Sequence, residues 1–291
     1  MAAESKIRSV LVVGSGSMGW GILRTFARAG FDAAVLSRNP DRLPPLPAGA
    51  RAVGDWPAEP PDLIIESIPE IPELKIDLFR RLGAAYGDLP IVASNTSGLP
   101  LAELAAAYGY PRRFVGIHYF HPADVAPLVE VIPVDDIDGS VVGRTVAALA
   151  QTGKEALVLR KPVAGFLVNR LQHAILHEAY YLIEQGIVSA EDVDRVAKRL
   201  FGPRMCISGL IEQKDISGLD THALAQRAIV PHLWHGAEPS RFLQDKYERG
   251  DLGLKTGKGF YDWTGRDPGA VRKNAAERFA RLIAFLDKET A

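Results

Sequence analysis

Three glycines follow the first apolar run of this 291-residue chain, and their spacing restricts the fold more than any other feature. The run Ser9–Val13 is rich in valine, which is typical of a buried strand, and Gly14, Gly16 and Gly19 come directly after it. Residues 18–29 then repeat apolar side chains at helical spacing. A strand, a GxGxxG turn and a helix in this order predict the first unit of a doubly wound α/β sheet of the Rossmann type.

The same turn predicts a nucleotide-binding site. Gly14 permits a tight turn, Gly16 lets the backbone approach a pyrophosphate, and Gly19 lets the helix pack closely on its strand. The first amides of the helix would face the phosphates. We therefore expect a dinucleotide at this turn, with a ligand-free glycine turn as the alternative; its residues are Gly14, Ser15, Gly16, Ser17, Met18 and Gly19.

The end of the second predicted strand indicates which dinucleotide binds. An acidic side chain usually reaches the adenosine ribose from this place, about 20 residues beyond the glycines. This chain has Ser37 there, followed by Arg38. A hydroxyl beside a guanidinium suits a 2′-phosphate, which a carboxylate would repel. The sequence therefore favours NADP over NAD, unless Arg38 is an ordinary solvated surface arginine.

Strand-like and helix-like segments alternate up to about residue 160, and helical spacing dominates beyond it. We expect a dinucleotide-binding domain over residues 1–160 and an all-helical substrate and dimerisation domain over residues 161–291. Apolar residues at three- and four-residue spacing, among them Phe166, Leu171 and Ile175, predict that the second domain begins with a long buried helix. Ser189, with two acids close behind it, predicts the start of another helix. Residues 38–61 hold seven prolines and predict a loop.

Composition excludes several classes of protein. The chain has 34 basic and 35 acidic residues, so its net charge of −1 gives no general attraction to nucleic acids or membranes. The single cysteine, Cys206, can form neither an intrachain disulfide nor a zinc–thiolate cluster. His173 and His177 have i,i+4 spacing but lack the HExxH pattern, so we expect no metal site. The chain lacks an apolar run of the ~18 residues that a membrane span needs, and we expect a cytoplasmic protein.

Six blocks of residues follow one another in the order found in a known family. With them the sequence resembles the 3-hydroxyacyl-CoA dehydrogenase family, which includes relatives that oxidise free hydroxy acids, such as gulonate and carnitine dehydrogenases. The resemblance extends over nearly the whole chain. The blocks are Gly14 to Gly19, Glu66 to Glu70 with Lys75, Ser94 to Ser97, His118 to Phe120 running on to Leu128 to Val131, Gly165 to Arg170, and Lys255 to Tyr261.

The resemblance implies roles for individual residues. His118 would be the catalytic acid or base and Glu130 the carboxylate that orients it, which suits an imidazole that titrates near neutrality. Ser97 and Asn169 would hydrogen-bond the substrate oxygen, although Ser97 can equally cap a helix and Asn169 can join two elements. Three charged residues would lie on the cofactor side, or else be solvated surface charges: Glu70, Lys75 and Lys255.

Two departures from the family, and one residue that matches its free-hydroxy-acid relatives, concern the substrate. Only twenty-four residues, too few for the CoA-holding helical hairpin, separate Ser37 from Asp62. His121 replaces the amide of the family's HFFNP block, which indicates a changed substrate pocket. Arg204 can clamp a carboxylate, or pair with Glu212 or Asp215. We expect hydride transfer between NADP or NAD and a small hydroxy or oxo acid that lacks CoA, by a homodimer. An L-3-hydroxyacyl-CoA dehydrogenase and a non-catalytic nucleotide-binding protein are the alternatives.

Overall fold

The computed structural model describes residues 6–289. Two compact units divide the chain, Met1–Arg170 and Leu171–Ala291, and the division lies beyond the boundary near residue 160 that the sequence predicts. The first unit is built on strands and helices in alternation, and the second contains helices. The expected fold class, an α/β domain followed by a helical domain, is confirmed.

The first unit contains one sheet of eight strands with helices between them. Its strands are β1 (Ser9–Val13), β2 (Asp32–Leu36), β3 (Ala50–Val53), β4 (Leu63–Glu66), β5 (Ile91–Ser94), β6 (Phe114–Tyr119), β7 (Leu128–Pro133) and β8 (Glu155–Val158). The order across the sheet is β3-β2-β1-β4-β5-β6-β7-β8, and β6 pairs with β7 in antiparallel orientation while the other neighbours are parallel. The connections that follow β1 therefore lead first to β2 and β3 on one side of β1. The connection after β3 then leads to β4 on the other side of β1.

Helices cover both faces of this sheet. They are α1 (Ser17–Arg28), α2 (Pro72–Tyr86), α3 (Leu101–Tyr108) and α4 (Gly139–Gln151). Ile22 and Phe26 of α1 pack with Leu149 of α4 on one face, and Phe79 of α2 packs with Leu104 of α3 on the other. Strands buried from both sides read as continuous apolar runs, which is why their positions could be predicted closely.

Strand β3 was missed by the prediction that residues 38–61 form a loop, and that part of the prediction is wrong. Its four residues pair in parallel with β2, from Ala33–Ala50 to Leu36–Val53. A short segment between prolines carries little local strand signal, because its stability comes from pairing with a neighbour distant in sequence. The rest of 38–61 has one short 3-10 turn, Pro40–Arg42.

The second unit consists of helices. Helix α5 (Phe166–Glu184) begins in the first unit and continues here, followed by α6 (Ala190–Val196), α7 (Gly202–Ser208), α8 (Glu212–Ser217), α9 (Leu219–Ile229), α10 (Arg241–Glu248) and α11 (Pro268–Glu289), with a π-helical segment over Ala197–Phe201. Ser189 and Asp192 form a capping box at α6, which confirms the predicted helix start. None of the helices within residues 6–289 is long and apolar enough to cross a membrane.

The apolar face of α5 is not buried along its length as predicted. Phe166 and Ala179 are buried, but Leu171 and Ile175 are each nearly half exposed. Among the residues of the second unit that the structure describes, Ala179 alone is buried. Helical spacing shows which side chains share a face, but not whether the chain itself covers that face.

Candidate active site

The glycine-rich turn joins β1 to α1 through backbone contacts that larger residues would prevent. Gly14 has a φ of 114°, and a Cβ added to it would lie 2.5 Å from the carbonyl oxygen of Ser67. A Cβ on Gly19 would lie 2.0 Å from the carbonyl oxygen of Gly14. A Cβ on Gly16 would meet nothing within 4 Å, so this backbone faces open space. Gly14 and Gly19 are therefore needed for packing, while Gly16 leaves room for a ligand, as a dinucleotide fold requires.

A cleft of about 1000 Å³ opens at this turn. It follows the carboxyl ends of the strands, where open α/β sheets bind their ligands. Its volume is at the upper end of the range for small-molecule sites. Predicted site residues on its wall are Gly14 to Met18, Ser37, Arg38, Glu70, Ser97, His118 and His121. The first amides of α1 have no side-chain cap, so the residues present fit a dinucleotide with its diphosphate at the helix start.

The far end of the cleft surrounds Ser37. Its Oγ accepts hydrogen bonds from Ser15 Oγ at 3.4 Å and from the amide of Asn39 at 3.3 Å, so the hydroxyl is fixed beside the glycine turn. Arg38 is exposed, and among residues 6–289 it has no ion-pair partner. Asp55 and Trp56, which follow β3, also line this end. Sequence analysis missed them because they lie in the segment that it assigned to a loop.

His118 and Glu130 form a buried pair. They lie directly opposite each other on the antiparallel strands β6 and β7, and Nδ1 of His118 is 2.8 Å from Oε2 of Glu130. Glu130 is fully buried and His118 is 5% exposed. Because an ionised carboxylate only accepts hydrogen bonds, Nδ1 carries the proton in the neutral imidazole, and Nε2 is the nitrogen left for a reacting group.

The second oxygen of Glu130 holds the start of α5. Oε1 accepts hydrogen bonds from the amides of Leu167 and Val168, each at 2.9 Å. Phe166, just before them, has a φ of 51°, a strained backbone for an aromatic residue, and its ring lies 5.5 Å from that of His118. One carboxylate thus fixes both the histidine and the helix start that carries Asn169.

Ser97 and Asn169 are brought together. The side-chain amide of Asn169 donates to the backbone carbonyl of Ser97 at 3.2 Å. Glu70 accepts from the Ser97 amide at 2.8 Å and lies 3.3 Å from the Ser97 hydroxyl. The structure thus places two polar groups, one hydroxyl and one amide, in the same neighbourhood at the end of β5. Their contact with a substrate oxygen stays a prediction.

Lys75 belongs to a buried charge cluster instead of the cleft wall. Its Nζ lies 2.5 Å from Oε1 of Glu66 and 3.1 Å from Oε2 of Glu70, and the side chain is only 1% exposed. Ser94 donates to the other oxygen of Glu66 at 2.6 Å. Burial alone would raise the pKa of Glu70, but hydrogen bonds from Thr96 and Ser97 and the charge of Lys75 lower it overall. Glu66 stood in the family block, yet sequence analysis assigned it no role.

His121 lies beside the glycine-rich turn. Its Nε2 is 3.1 Å from the hydroxyl of Ser17, the first residue of α1. The sequence predicts that His121 contributes to the substrate pocket, and the structure places it at the end of the cleft where the diphosphate of a dinucleotide would lie.

The two predicted site residues of the second unit are both exposed. Arg204 lies in α7, and none of the ion pairs among residues 6–289 includes it, so the alternative pairing with Glu212 or Asp215 does not occur there. Lys255 lies in the turn that the bridge between Gly253 and Lys258 closes. Their roles stay predictions. Within the same range, no group of three or more His, Cys, Asp or Glu residues is arranged to hold a metal ion.

Comparison with known proteins gives consistent matches along the chain. Residues 57–162 match the model of the 3-hydroxyacyl-CoA dehydrogenase NAD-binding domain, and residues 165–263 match that of its C-terminal domain. The chain is 29% identical to 5-formyl-3-hydroxy-2-methylpyridine 4-carboxylate 5-dehydrogenase of Mesorhizobium japonicum, over 96% of this chain and 97% of that protein. It is 32% identical to a 3-hydroxybutyryl-CoA dehydrogenase of Bradyrhizobium diazoefficiens, over 91% and 99% of the two chains.

A solved structure is similar over the same length. The crystal structure of a 5-formyl-3-hydroxy-2-methylpyridine 4-carboxylic acid 5-dehydrogenase, described as an NAD⁺-dependent dismutase, matches with a TM-score of 0.90. The sequences are 27% identical, and the match covers 97% of this chain and 99% of the other.

Proposed function

Because the chain belongs to the 3-hydroxyacyl-CoA dehydrogenase family and is an NAD(P)-dependent oxidoreductase acting on CH–OH groups, we propose that its substrate is a small hydroxy or oxo carboxylic acid without CoA. The observation that carries the oxidoreductase chemistry is that His118, bonded to buried Glu130, lines the same cleft as the glycine-rich turn. A proton-handling group and a dinucleotide site in one cleft are what reversible alcohol oxidation requires.

His118, supported by Glu130, accepts and donates the proton of the reacting hydroxyl. During oxidation Nε2 of His118 accepts this proton, and Glu130, bound to Nδ1, stabilises the imidazolium that results. During reduction the same nitrogen returns the proton. Ser97 and Asn169 orient the substrate oxygen as its charge changes. The nicotinamide, when bound, accepts or supplies the hydride.

The absence of CoA from the substrate is inferred from the connection between Ser37 and Asp62. It holds the short strand β3 and a 3-10 turn in place of a helical hairpin. The similar enzyme from Mesorhizobium japonicum is named for a pyridine carboxylate that bears a formyl group, a free acid. Arg204 then holds the substrate carboxylate by two parallel hydrogen bonds, and this contact orients the substrate in place of a CoA handle. The similarity to 3-hydroxybutyryl-CoA dehydrogenases favours an L-3-hydroxyacyl-CoA thioester as the second candidate.

The choice between NADP and NAD depends on two neighbouring charges. Ser37 and exposed Arg38 favour the 2′-phosphate of NADP, and we keep NADP as the proposed cofactor. Asp55, on the wall of the same end of the cleft, can accept hydrogen bonds from a ribose with free hydroxyls, and a similar enzyme is described as NAD⁺-dependent. NAD is therefore the second candidate, and Asp55 is the residue that favours it.

A homodimer formed through the helical unit is part of the proposal. Exposed apolar side chains are concentrated there, among them Ile207 at 86% and Ile211 at 74%. Monomeric proteins rarely leave such side chains uncovered in number. The free cysteine Cys206 suits a reducing compartment, so a cytoplasmic location completes the proposal.

The test is a two-way comparison with purified protein. Free hydroxy and oxo carboxylates, including pyridine carboxylates with a formyl or hydroxymethyl group, are compared with 3-hydroxybutyryl-CoA by following absorbance with NADPH or NADH, or with their oxidised forms. We expect higher kcat/KM for a free acid. A strong preference for the thioester would establish the second substrate class, and turnover of neither with clear cofactor binding would favour a non-catalytic protein.

The same protein decides the cofactor. Calorimetric titration of parent, Arg38→Ala and Asp55→Asn with NADPH and NADH separates the two charges. We expect tighter NADPH binding by the parent and a smaller preference in Arg38→Ala. If the parent binds NADH more tightly than NADPH and Asp55→Asn loses this preference, NAD is the cofactor and Asp55 determines the preference.

A further inference from the structure

We infer that His121 binds the diphosphate of the dinucleotide in its protonated form, so that cofactor affinity rises as pH falls. The inference rests on the proposed function and concerns the same cleft. It begins from position: His121 follows β6, and its Nε2 lies 3.1 Å from the hydroxyl of Ser17 in the first turn of α1. Both residues, together with Gly16, line the cleft.

The loop that carries His121 is fixed on α1 by two contacts. Nη1 of Arg24 in α1 lies 2.6 Å from Oδ2 of Asp124. A Cβ added to Gly21 of α1 would lie 2.9 Å from the Cβ of Ala123, so the loop and the helix approach as closely as a glycine allows. The loop is therefore held against the helix, and exposed His121 lies at the helix start through its contact with Ser17.

The helix start offers a diphosphate no full positive charge of its own. Its first amides are uncapped by a side chain, and they supply hydrogen bonds and only the partial positive charge of a helix end. Serines at positions 15 and 17 of the turn are neutral. A diphosphate carries two negative charges, so a protonated imidazole beside Ser17 would form the charge-assisted contact that this end of the cleft otherwise lacks.

Other charged groups around His121 do not replace it. Arg24 and Asp124, from the helix and the loop, are paired with each other. His118, from β6, is paired with Glu130. Further along the cleft wall lie Arg38, Asp55, Asp77, Arg81 and Glu70. Among residues 6–289 no carboxylate forms an ion pair with His121, so no carboxylate there competes with an anion for its ring.

The sign of the pH effect follows from this arrangement. An imidazole is charged below its pKa, near neutrality for the ordinary side chain, and neutral above it. The neutral ring can still accept a hydrogen bond from Ser17 but offers no charge to the diphosphate. Dissociation constants for NADH should therefore be about five- to tenfold lower at pH 6.0 than at pH 8.5. This is less than a buried charge-assisted hydrogen bond would give, because His121 is exposed and solvent screens its charge.

Fluorescence titration of the full-length protein with NADH between pH 6.0 and 8.5 tests the inference without any need for turnover. NADH is the probe because it lacks the 2′-phosphate, which titrates itself. Variants are His121→Asn, which cannot gain charge, and His121→Lys, which keeps charge throughout the range. His232→Asn, in an exposed turn of the second unit, is the matched control. We expect flat, weak binding for His121→Asn, flat binding for His121→Lys, and a parent-like slope for the control.

The outcomes separate this inference from the proposed function. Parent-like pH dependence in His121→Asn, or pH-independent binding by the parent, would overturn the role of His121 and leave the dehydrogenase reading intact. Failure of the parent to bind NADH or NADPH at any pH would instead overturn the proposed function. A defect of His121→Asn in substrate KM with unchanged NADH affinity would return His121 to the substrate pocket.

Discussion

The two units of this chain have apolar residues in similar supply but bury them to different extents. In the first unit, two layers of helices enclose the sheet, and side chains such as Ile22, Phe26 and Phe79 are fully buried. In the second, exposed apolar side chains occur on nearly every helix, and Ala179 alone is buried among the residues described there. The first unit buries its apolar core within itself, whereas the second leaves apolar faces exposed.

The largest expected effect is on association through the second unit. A double variant, Ile207→Asp with Ile211→Asp, should weaken a dimer by about 3–6 kcal/mol for each of its two chains, since each buried isoleucine contributes about 1.5–3 kcal/mol. Sedimentation over a range of concentrations should show the parent at twice the 31.6 kDa of one chain and the variant at the monomer mass. Leu89→Asp, at a largely exposed position (65%) in the first unit, is the control and should leave the mass unchanged. A monomeric parent would show that the exposed apolar faces of the second unit do not form a dimer.

Next in size is the buried charge cluster of the first unit. Lys75→Met leaves Glu66 and Glu70 without their cation and should lower the free energy of unfolding by about 3–5 kcal/mol. Lys198→Met, which breaks an exposed pair with Asp194 in the second unit, should cost less than about 1 kcal/mol. Urea denaturation followed by circular dichroism measures both. Equal losses would mean that burial does not distinguish the two ion pairs.

Removal of the His118 imidazole, in the first unit, should lower activity more than it lowers stability. His118→Ala should lower kcat by at least about 100-fold with cofactor affinity nearly unchanged, as expected for a lost general acid or base. His232→Ala, in the second unit, should keep the kcat of the parent. Steady-state kinetics with the best substrate of the screen, combined with NADH or NADPH titration, gives the answer. Undiminished turnover by His118→Ala would assign the proton transfer elsewhere.

The smallest expected effect concerns the contribution of the second unit to the substrate. Arg204→Lys keeps the charge but loses the two-pronged geometry, and the loss of one charge-assisted hydrogen bond should raise KM for a free acid by about ten- to a hundredfold. Arg227→Lys on α9 is the matched control, because it makes the same change at another exposed arginine. Equal KM values for parent and Arg204→Lys would show that Arg204 does not contact the substrate. The proposal of a free-acid substrate would not be affected by that result.

The difference between the units also explains what the sequence could predict. Strands such as β1 and β5 are buried on both faces, so each forms a continuous apolar run that can be recognised in the sequence. The spacing of the glycines predicted the turn after β1. The spacing of His118 and Glu130 did not itself place them together. Their pairing depends on the antiparallel register of β6 and β7, which only the fold supplies.

Other features left no local signal. Asp55 reaches the cleft because β3 pairs with β2, a contact between segments separated by a proline-rich stretch. Lys75 resembled a cofactor residue by position, yet the fold buries it between Glu66 and Glu70. Helical spacing on α5 showed one apolar face without showing what covers it. Propensity and periodicity describe a segment, whereas these three cases depend on its neighbours in space.

Strand β3 and strand β8 are the two edges of the sheet, and both are only four residues long. Proline-containing turns flank β3, and its Arg51 pairs with Asp32 on β2. Short edges that carry charge or proline offer little template for strand addition from another molecule, which is how natural sheets resist aggregation. The β3 edge of the sheet is therefore a poor template for edge-to-edge polymerisation.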